Sequence, residues 1–256
     1  MNLLLLIFLG TLNYVTGNPN NDLVEVKVDW ESFLSRSDLT WTTAPTEWYE
    51  AGFVGNGKLG GLISYNDTFE FKIGSTAIWD DRPHGPPYNI LPEDFSCTSP
   101  RLPIGKFVLD GTTVDKSDFN MRVNLWDAEA TGSLGAGISW RIFAHAVYTE
   151  ADVVVIEIIQ NKTVSLNQDI PVMRFVPHSF NRVHAQGLCF RQGMPENVPP
   201  LDPEVGSDGA TVVVQTHYRG TEHATAYLTV PGESTSPSTS TLMFISVSDG
   251  KQNKTN

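Results

Sequence analysis

Positive charge is scarce in this sequence. Lys and Arg number 17 against 29 Asp and Glu, the net charge is −12, and no basic run occurs. That removes the electrostatic footprint of a nucleic-acid binder, while acidity by itself selects no substrate. Cysteine is nearly absent. Cys97 and Cys189 are the only two, in no CxxC or Cys/His spacing, so no zinc site is expected. No apolar stretch beyond the N-terminus is long enough to cross a bilayer. No serine sits in a Gly-x-Ser-x-Gly elbow, and no phosphate-cradling loop opens a helix. Helix-period patterns of normal length, heptads and internal repeats are also missing, which excludes bundles, coiled coils and solenoids.

What is present is short alternating runs separated by turn residues. Val24, Val26, Val28 and Trp30 alternate with charged residues and predict a strand, followed over 33–39 by a helical turn capped near Ser37. Further strands are expected over 59–65, 69–73, 105–110, 121–126, 137–148 and 153–160, then 170–176, 211–215, 224–230 and 241–247. Val153-Val154-Val155-Ile156-Glu157-Ile158-Ile159 is β-branched and almost wholly apolar, the pattern of a central strand covered on both faces. Proline-rich stretches over 83–103 and 193–209 read as long loops, and the Ser/Thr-rich run 234–241 as a hairpin tip or an O-glycosylated patch. The fold class that follows is all-β, an antiparallel sandwich. An apolar fraction of 40 % supports a packed core in one domain over 18–256.

The address is extracellular. Leu3 to Leu12 is a ten-residue apolar run followed by Val15-Thr16-Gly17, compatible with a signal peptide over 1–17. Three acceptor sequons agree with secretion, at Asn66, Asn161 and Asn253. An oxidising compartment allows a disulfide between Cys97 and Cys189, the alternative being two separate thiols.

The central passage is Glu47-Trp48-Tyr49-Glu50-Ala51-Gly52-Phe53-Val54-Gly55-Asn56-Gly57-Lys58-Leu59-Gly60-Gly61. Gly55-Asn56-Gly57 forces a turn. The run to Gly60 has the look of a phosphate loop, but a strand follows it where a phosphate loop needs a helix. A hairpin over 59–73 puts this turn and the segment Trp79-Asp80-Asp81-Arg82-Pro83-His84 at sheet ends, where loops carry function.

These passages are similar to a known family. Asp29-Trp30-Glu31-Ser32-Phe33-Leu34, Gly55-Asn56-Gly57-Lys58-Leu59-Gly60, Ile78-Trp79-Asp80-Asp81-Arg82-Pro83, Arg101-Leu102-Pro103-Ile104-Gly105-Lys106-Phe107, Arg122-Val123-Asn124-Leu125-Trp126-Asp127 and Arg141-Ile142-Phe143-Ala144-His145-Ala146 resemble, in order, the opening of secreted glycoside hydrolases of family 95, the α-L-fucosidases. The resemblance implies an N-terminal β-super-sandwich of an enzyme whose catalytic carboxylates lie in a following (α/α)6 domain. It further implies carbohydrate as the ligand, no cofactor, and a role for Asn56, Trp79, Asp81, Arg82 and His84 in bordering a sugar pocket or facing that catalytic domain. The chain reads Gly74-Ser75-Thr76-Ala77-Ile78-Trp79 where the family usually has Asn-Glu-Asp-Thr-Leu-Trp, so the resemblance does not reach fucose specificity.

The residues themselves offer little catalysis. Glycoside hydrolysis needs two carboxyl groups flanking one bond. Asp80 and Asp81 are adjacent and would point apart on a strand, whereas Asp127 and Glu129 would share a face if extended; turn or surface roles are the expectation for both pairs. Asp81 with Arg82 could be a structural ion pair. Among His84, His145, His178, His184, His217 and His223 no metal spacing occurs. The two pairs six apart would be distant along one strand and are read as unrelated, and His145 as a packing residue. Trp41, Trp48, Tyr49 and Phe53 either stack on sugars or fill the core, and the core is the expectation. The chain thus reads as a secreted sandwich of glycoside-hydrolase type, inactive alone; the alternative is a stand-alone carbohydrate-binding module.

Overall fold

The computed structural model describes residues 27–79, 101–110, 118–135, 137–146, 152–161, 171–178, 199–217, 220–235 and 237–250. The expected signal segment over 1–17, Asp80, Asp81, Arg82, His84, Cys97, His184, Cys189 and Asn253 lie outside these residues.

The first described element departs from expectation. Trp30–Ser35 is a helix, α1, where the Val/charge alternation predicted a strand through Trp30. The reason is local. Asp29 is an N-cap whose side chain accepts from the Ser32 amide at 3.1 Å, and Glu31 sits in the first turn, where a negative charge is favoured. Helical spacing then brings Trp30 against Phe33, ring centroids 5.9 Å apart.

Strands follow. They are β1 (Leu39–Trp41), β2 (Gly52–Gly55), β3 (Leu59–Asn66), β4 (Thr68–Ser75), β5 (Gly105–Leu109), β6 (Phe119–Asn124) and β7 (Glu129–Gly135). After them come β8 (Ile138–Ala146), β9 (Asp152–Asn161), β10 (Met173–Pro177), β11 (Glu204–Val205), β12 (Thr211–Thr216), β13 (Glu222–Thr235) and β14 (Ser238–Gly250). They form a nine-stranded sheet, β1-β6-β7-β8-β9-β14-β13-β12-β11, and a five-stranded sheet, β10-β5-β4-β3-β2. Neighbouring strands run antiparallel throughout. The fold is therefore an all-β sandwich. Among the described residues no helix is long and apolar enough to cross a membrane.

One core lies between the sheets. Phe69 of the smaller sheet meets Trp140 of the larger at 4.9 Å, Tyr65 meets Phe119 at 6.5 Å, and Tyr227 meets Phe107 at 5.5 Å and Phe175 at 5.9 Å. Such tilted and edge-on pairs add to the burial of large apolar area. Trp140 fits because β7 is made of small residues. A Cβ placed on Gly132 would lie 2.5 Å from the Trp140 ring and 2.3 Å from the Asn120 carbonyl oxygen. This explains why β7, Glu-Ala-Thr-Gly-Ser-Leu-Gly, carries little strand signal. β9 is the middle strand of its sheet, as its apolar run implies. Its inner residues Val154, Ile156 and Ile158 are buried, but on the other face only Val155 is, with Val153 and Ile159 half-buried. The second face is thus only partly covered.

β6 ends two residues earlier than expected. The Asn124 side-chain oxygen accepts from the Trp126 and Asp127 amides at 2.9 and 3.1 Å, an Asx-type turn that takes Leu125 and Trp126 out of the sheet. The described residues within 234–241 lie at the expected hairpin tip, with strand pairing continuing to Thr235 and Ser238. Within the expected loop 193–209, Glu204 and Val205 form the short edge strand β11.

Candidate functional site

The Gly55-Asn56-Gly57 turn joins β2 to β3 with Gly57 at φ 92°, a conformation glycine adopts without a Cβ clash. The Asn56 side chain is turned inward. Its oxygen accepts from the Lys58 and Leu59 amides at 3.0 and 2.9 Å. Its nitrogen donates to Asp152 Oδ1 at 2.9 Å and to the His145 carbonyl at 3.3 Å. Both lone pairs and both hydrogens are engaged, so Asn56 ties the smaller sheet to the end of β8 and β9 and has no polar atom left for a ligand. Lys58 Nζ lies 3.6 Å from Asp152 Oδ2 on the same side.

Beside this turn the outer face of the smaller sheet holds a groove of about 600 Å³. Cross-strand register builds its floor. Gly55 pairs with Gly60 and Gly60 with Gly74; the neighbouring row is Phe53, Leu62 and Lys72. Three strands thus present a row without side chains next to an exposed ring, Phe53 being 56 % accessible. Gly60 is required by packing, since a Cβ there would fall 2.5 Å from the Val54 carbonyl oxygen. Gly74 is not: a Cβ there meets nothing within 4 Å. Its missing side chain is open groove.

Trp79 and Arg101 form an isolated antiparallel bridge, extended by the Leu102 amide donating to the Ile78 carbonyl at 3.1 Å. The Arg101 guanidinium lies over the Trp79 ring, 5.1 Å from its centroid, and Arg101 lines the groove rim. The structure therefore brings Trp79 to the groove through Arg101, while Asn56 stands beside it in a supporting role. Among the described residues the groove lining carries Lys58, Lys72 and Arg101 and no carboxyl group.

Beneath the lysine row lies a group that alternation alone concealed. Glu70 points to the outer face yet is only 3 % exposed, paired with Lys106 Nζ and, at 3.6 Å, Lys72 Nζ. A second unforeseen cluster sits at the β12–β13 turn. His217 Nε2 and His223 Nδ1 are 2.8 Å apart, His223 Nε2 is 2.9 Å from Gln215 Oε1, and Gln215 Nε2 donates to the His178 carbonyl at 3.0 Å. All three side chains are buried. Burial, and then the nearby His217, pushes the His223 pKa down to about 3. The reading of these histidines as distant and unrelated is corrected: a turn closed by the His217 amide on the Thr221 carbonyl folds the six-residue spacing back on itself. Glycine at position 220, with φ 79°, was the available signal.

His145 is exposed and is not a packing residue; its carbonyl serves Asn56. Asp127 accepts from Asn124 Nδ2 at 2.6 Å within the turn, and Glu129 pairs with Arg141 at 2.5 Å, so both carboxylates have structural roles. Trp41 packs against the core and donates to the Glu50 carbonyl, but Trp48, Tyr49 and Phe53 are exposed, against the core expectation. Of the sequon asparagines, Asn66 is exposed at the β3–β4 turn, where Asp67 adopts φ 63°. Asn161 is half-buried at the end of β9, lining a groove of about 520 Å³ with residues of the β7–β8 turn. Among the described residues no group of three His, Cys, Asp or Glu side chains could hold a metal. No family model matches the chain, and no curated protein matches it.

Proposed function

We propose that this chain is a secreted β-sandwich domain of glycoside-hydrolase type that holds a saccharide and does not cleave it alone. In that reading it supports the sugar pocket of an (α/α)6 catalytic domain. The observation that carries the reading is the groove on the smaller sheet. Its volume, about 600 Å³, falls in the range of small-ligand sites. Its bare Gly55, Gly60 and Gly74 floor admits a flat ring, and Phe53 offers a face for stacking. Acid–base hydrolysis needs two carboxyl groups roughly 5–10 Å apart across a bond, and among the described residues the lining has none. The sequence motifs of the first section supply the family reading.

The test is titration of the secreted chain against oligosaccharides by calorimetry, with release of reducing ends followed in parallel. Saturable binding without hydrolysis is expected. Phe53→Ala should weaken binding about tenfold, the worth of one stacking contact. Gly74→Leu fills the groove from a position with free space and should abolish binding with the fold intact. Binding untouched by either substitution removes the groove from the proposal, and hydrolysis by the chain alone removes its non-catalytic part. The stand-alone binding module is separated by adding an (α/α)6 glycosidase domain: a supporting domain raises its activity, a module leaves it unchanged.

A further inference from the structure

We propose that the groove selects saccharides bearing a carboxylate or sulfate group; this rests on the saccharide-binding reading above. Lys58, Lys72 and Arg101 line the groove, and Lys106 stands in register beside Lys72. Among the described residues, two carboxylates answer these four cations. Asp152 lies 3.6 Å from Lys58, and Glu70 is shared between Lys72 and Lys106. Arg101 has no carboxylate partner among the described residues; it rests on the Trp79 ring instead. An aromatic face holds a guanidinium without neutralising it and leaves the in-plane N–H donors for a second partner. The fork of those donors matches the two oxygens of a carboxylate or sulfate.

The contrast with the rest of the molecule strengthens the point. The chain carries a net charge of −12, yet this groove holds a local excess of positive charge. A random acidic surface would surround such cations with carboxylates. The geometry also separates two tasks. The glycine row and Phe53 accept the sugar ring, and the Arg101 and Lys58 rim accepts its anionic substituent. Glu70 keeps Lys72 in place at the floor, so the flexible charges at the rim are Lys58, 77 % exposed at its side chain, and Arg101.

The experiment uses the full secreted chain and matched probes. One pair is an oligogalacturonate and its methyl-esterified form, which share a backbone and differ in charge. The other is a sulfated glycosaminoglycan hexasaccharide and its desulfated form. An acidic peptide of Glu residues is the non-sugar control. The anionic member of at least one pair should bind about tenfold tighter at low salt, one charge-assisted contact's worth. The gap should narrow as ionic strength rises toward about 1 M. Arg101→Gln and Lys58→Gln should each shrink the gap several-fold by weakening the anionic member more than the neutral one, with unaltered circular dichroism as the folding control. Equal binding of charged and neutral members overturns the anionic preference and leaves the saccharide reading standing. Absence of binding to any sugar overturns both. Equal binding of the Glu peptide shows recognition of charge without sugar and overturns the assigned ligand class.

Discussion

Glu70 shows how one residue can escape a periodicity argument. Phe69-Glu70-Phe71-Lys72-Ile73 alternates cleanly, and alternation assigns Glu70 to solvent. Its direction is right and its burial is not, because a two-state pattern carries no information on what covers the outer face. The pairing decides the cost of substitution. Lys72 and Lys106 are each 38 % exposed at their side chains, so either can rehydrate if the carboxylate is lost; Glu70 cannot. Glu70→Gln should therefore cost less than about 1 kcal/mol. Lys106→Met leaves the buried carboxylate short of a partner and should cost roughly 1–3 kcal/mol. Urea denaturation of the two variants checks the order, and a larger loss in Glu70→Gln would refute it. Asn56 carries the complementary lesson. Its place in a forced turn was legible, but its bonds reach Asp152 and His145, contacts that sequence distance hides.

At the scale of elements, the β12–β13 hairpin is where acid should act. His223 is held neutral, with a pKa of about 3, by burial and then by His217; free in the unfolded chain it would titrate near 6.5. Below pH 6.5 the unfolded state binds a proton that the folded state refuses. Stability from this site is therefore present above pH 6.5 and is lost as pH falls toward 3, at up to about 1.4 kcal/mol per pH unit. Glu222, next to His223 on β13 and accepting from the Thr216 hydroxyl, and Asp249 of β14, opposite His223 in register, are nearby acidic groups. The window between pH 6.5 and 5 lies above the ordinary carboxylate range. There the denaturation midpoint should fall more steeply with pH in the native chain than in His223→Leu. An equal slope in both would exclude His223 as the cause. Elements with their own sequence signal, such as β4 and β9, were legible from the chain. β7 was not, because its small residues exist to clear space for Trp140; α1 was legible only from Phe33 on, as the expected helical turn, because the cap at Asp29 overrode a strand-like alternation before it.

For the whole molecule, the two sheets share one core, and contacts such as Phe69 with Trp140 leave neither sheet an interior of its own. Unfolding should then be a single transition. Trp140→Ala should cost about 3–5 kcal/mol and lower far- and near-ultraviolet dichroism transitions together; two separated midpoints would argue for sheets that melt independently. The sandwich class was readable from strand frequency and turn chemistry, whereas the order of strands was not, because β1 pairs with β6, β10 with β5 and β14 with β9 across long stretches of chain. That last pairing has a consequence in time. β9 is the middle strand of its sheet, and the partner on one side of it is β14, which is made well after it. At a synthesis rate of about 5–20 residues per second, the Val153-to-Ile159 run waits on the order of 4–15 seconds with one edge unpaired. An apolar, β-branched edge is a template for other chains. Nascent copies on one ribosome cluster should therefore be the state in which this protein most needs a chaperone.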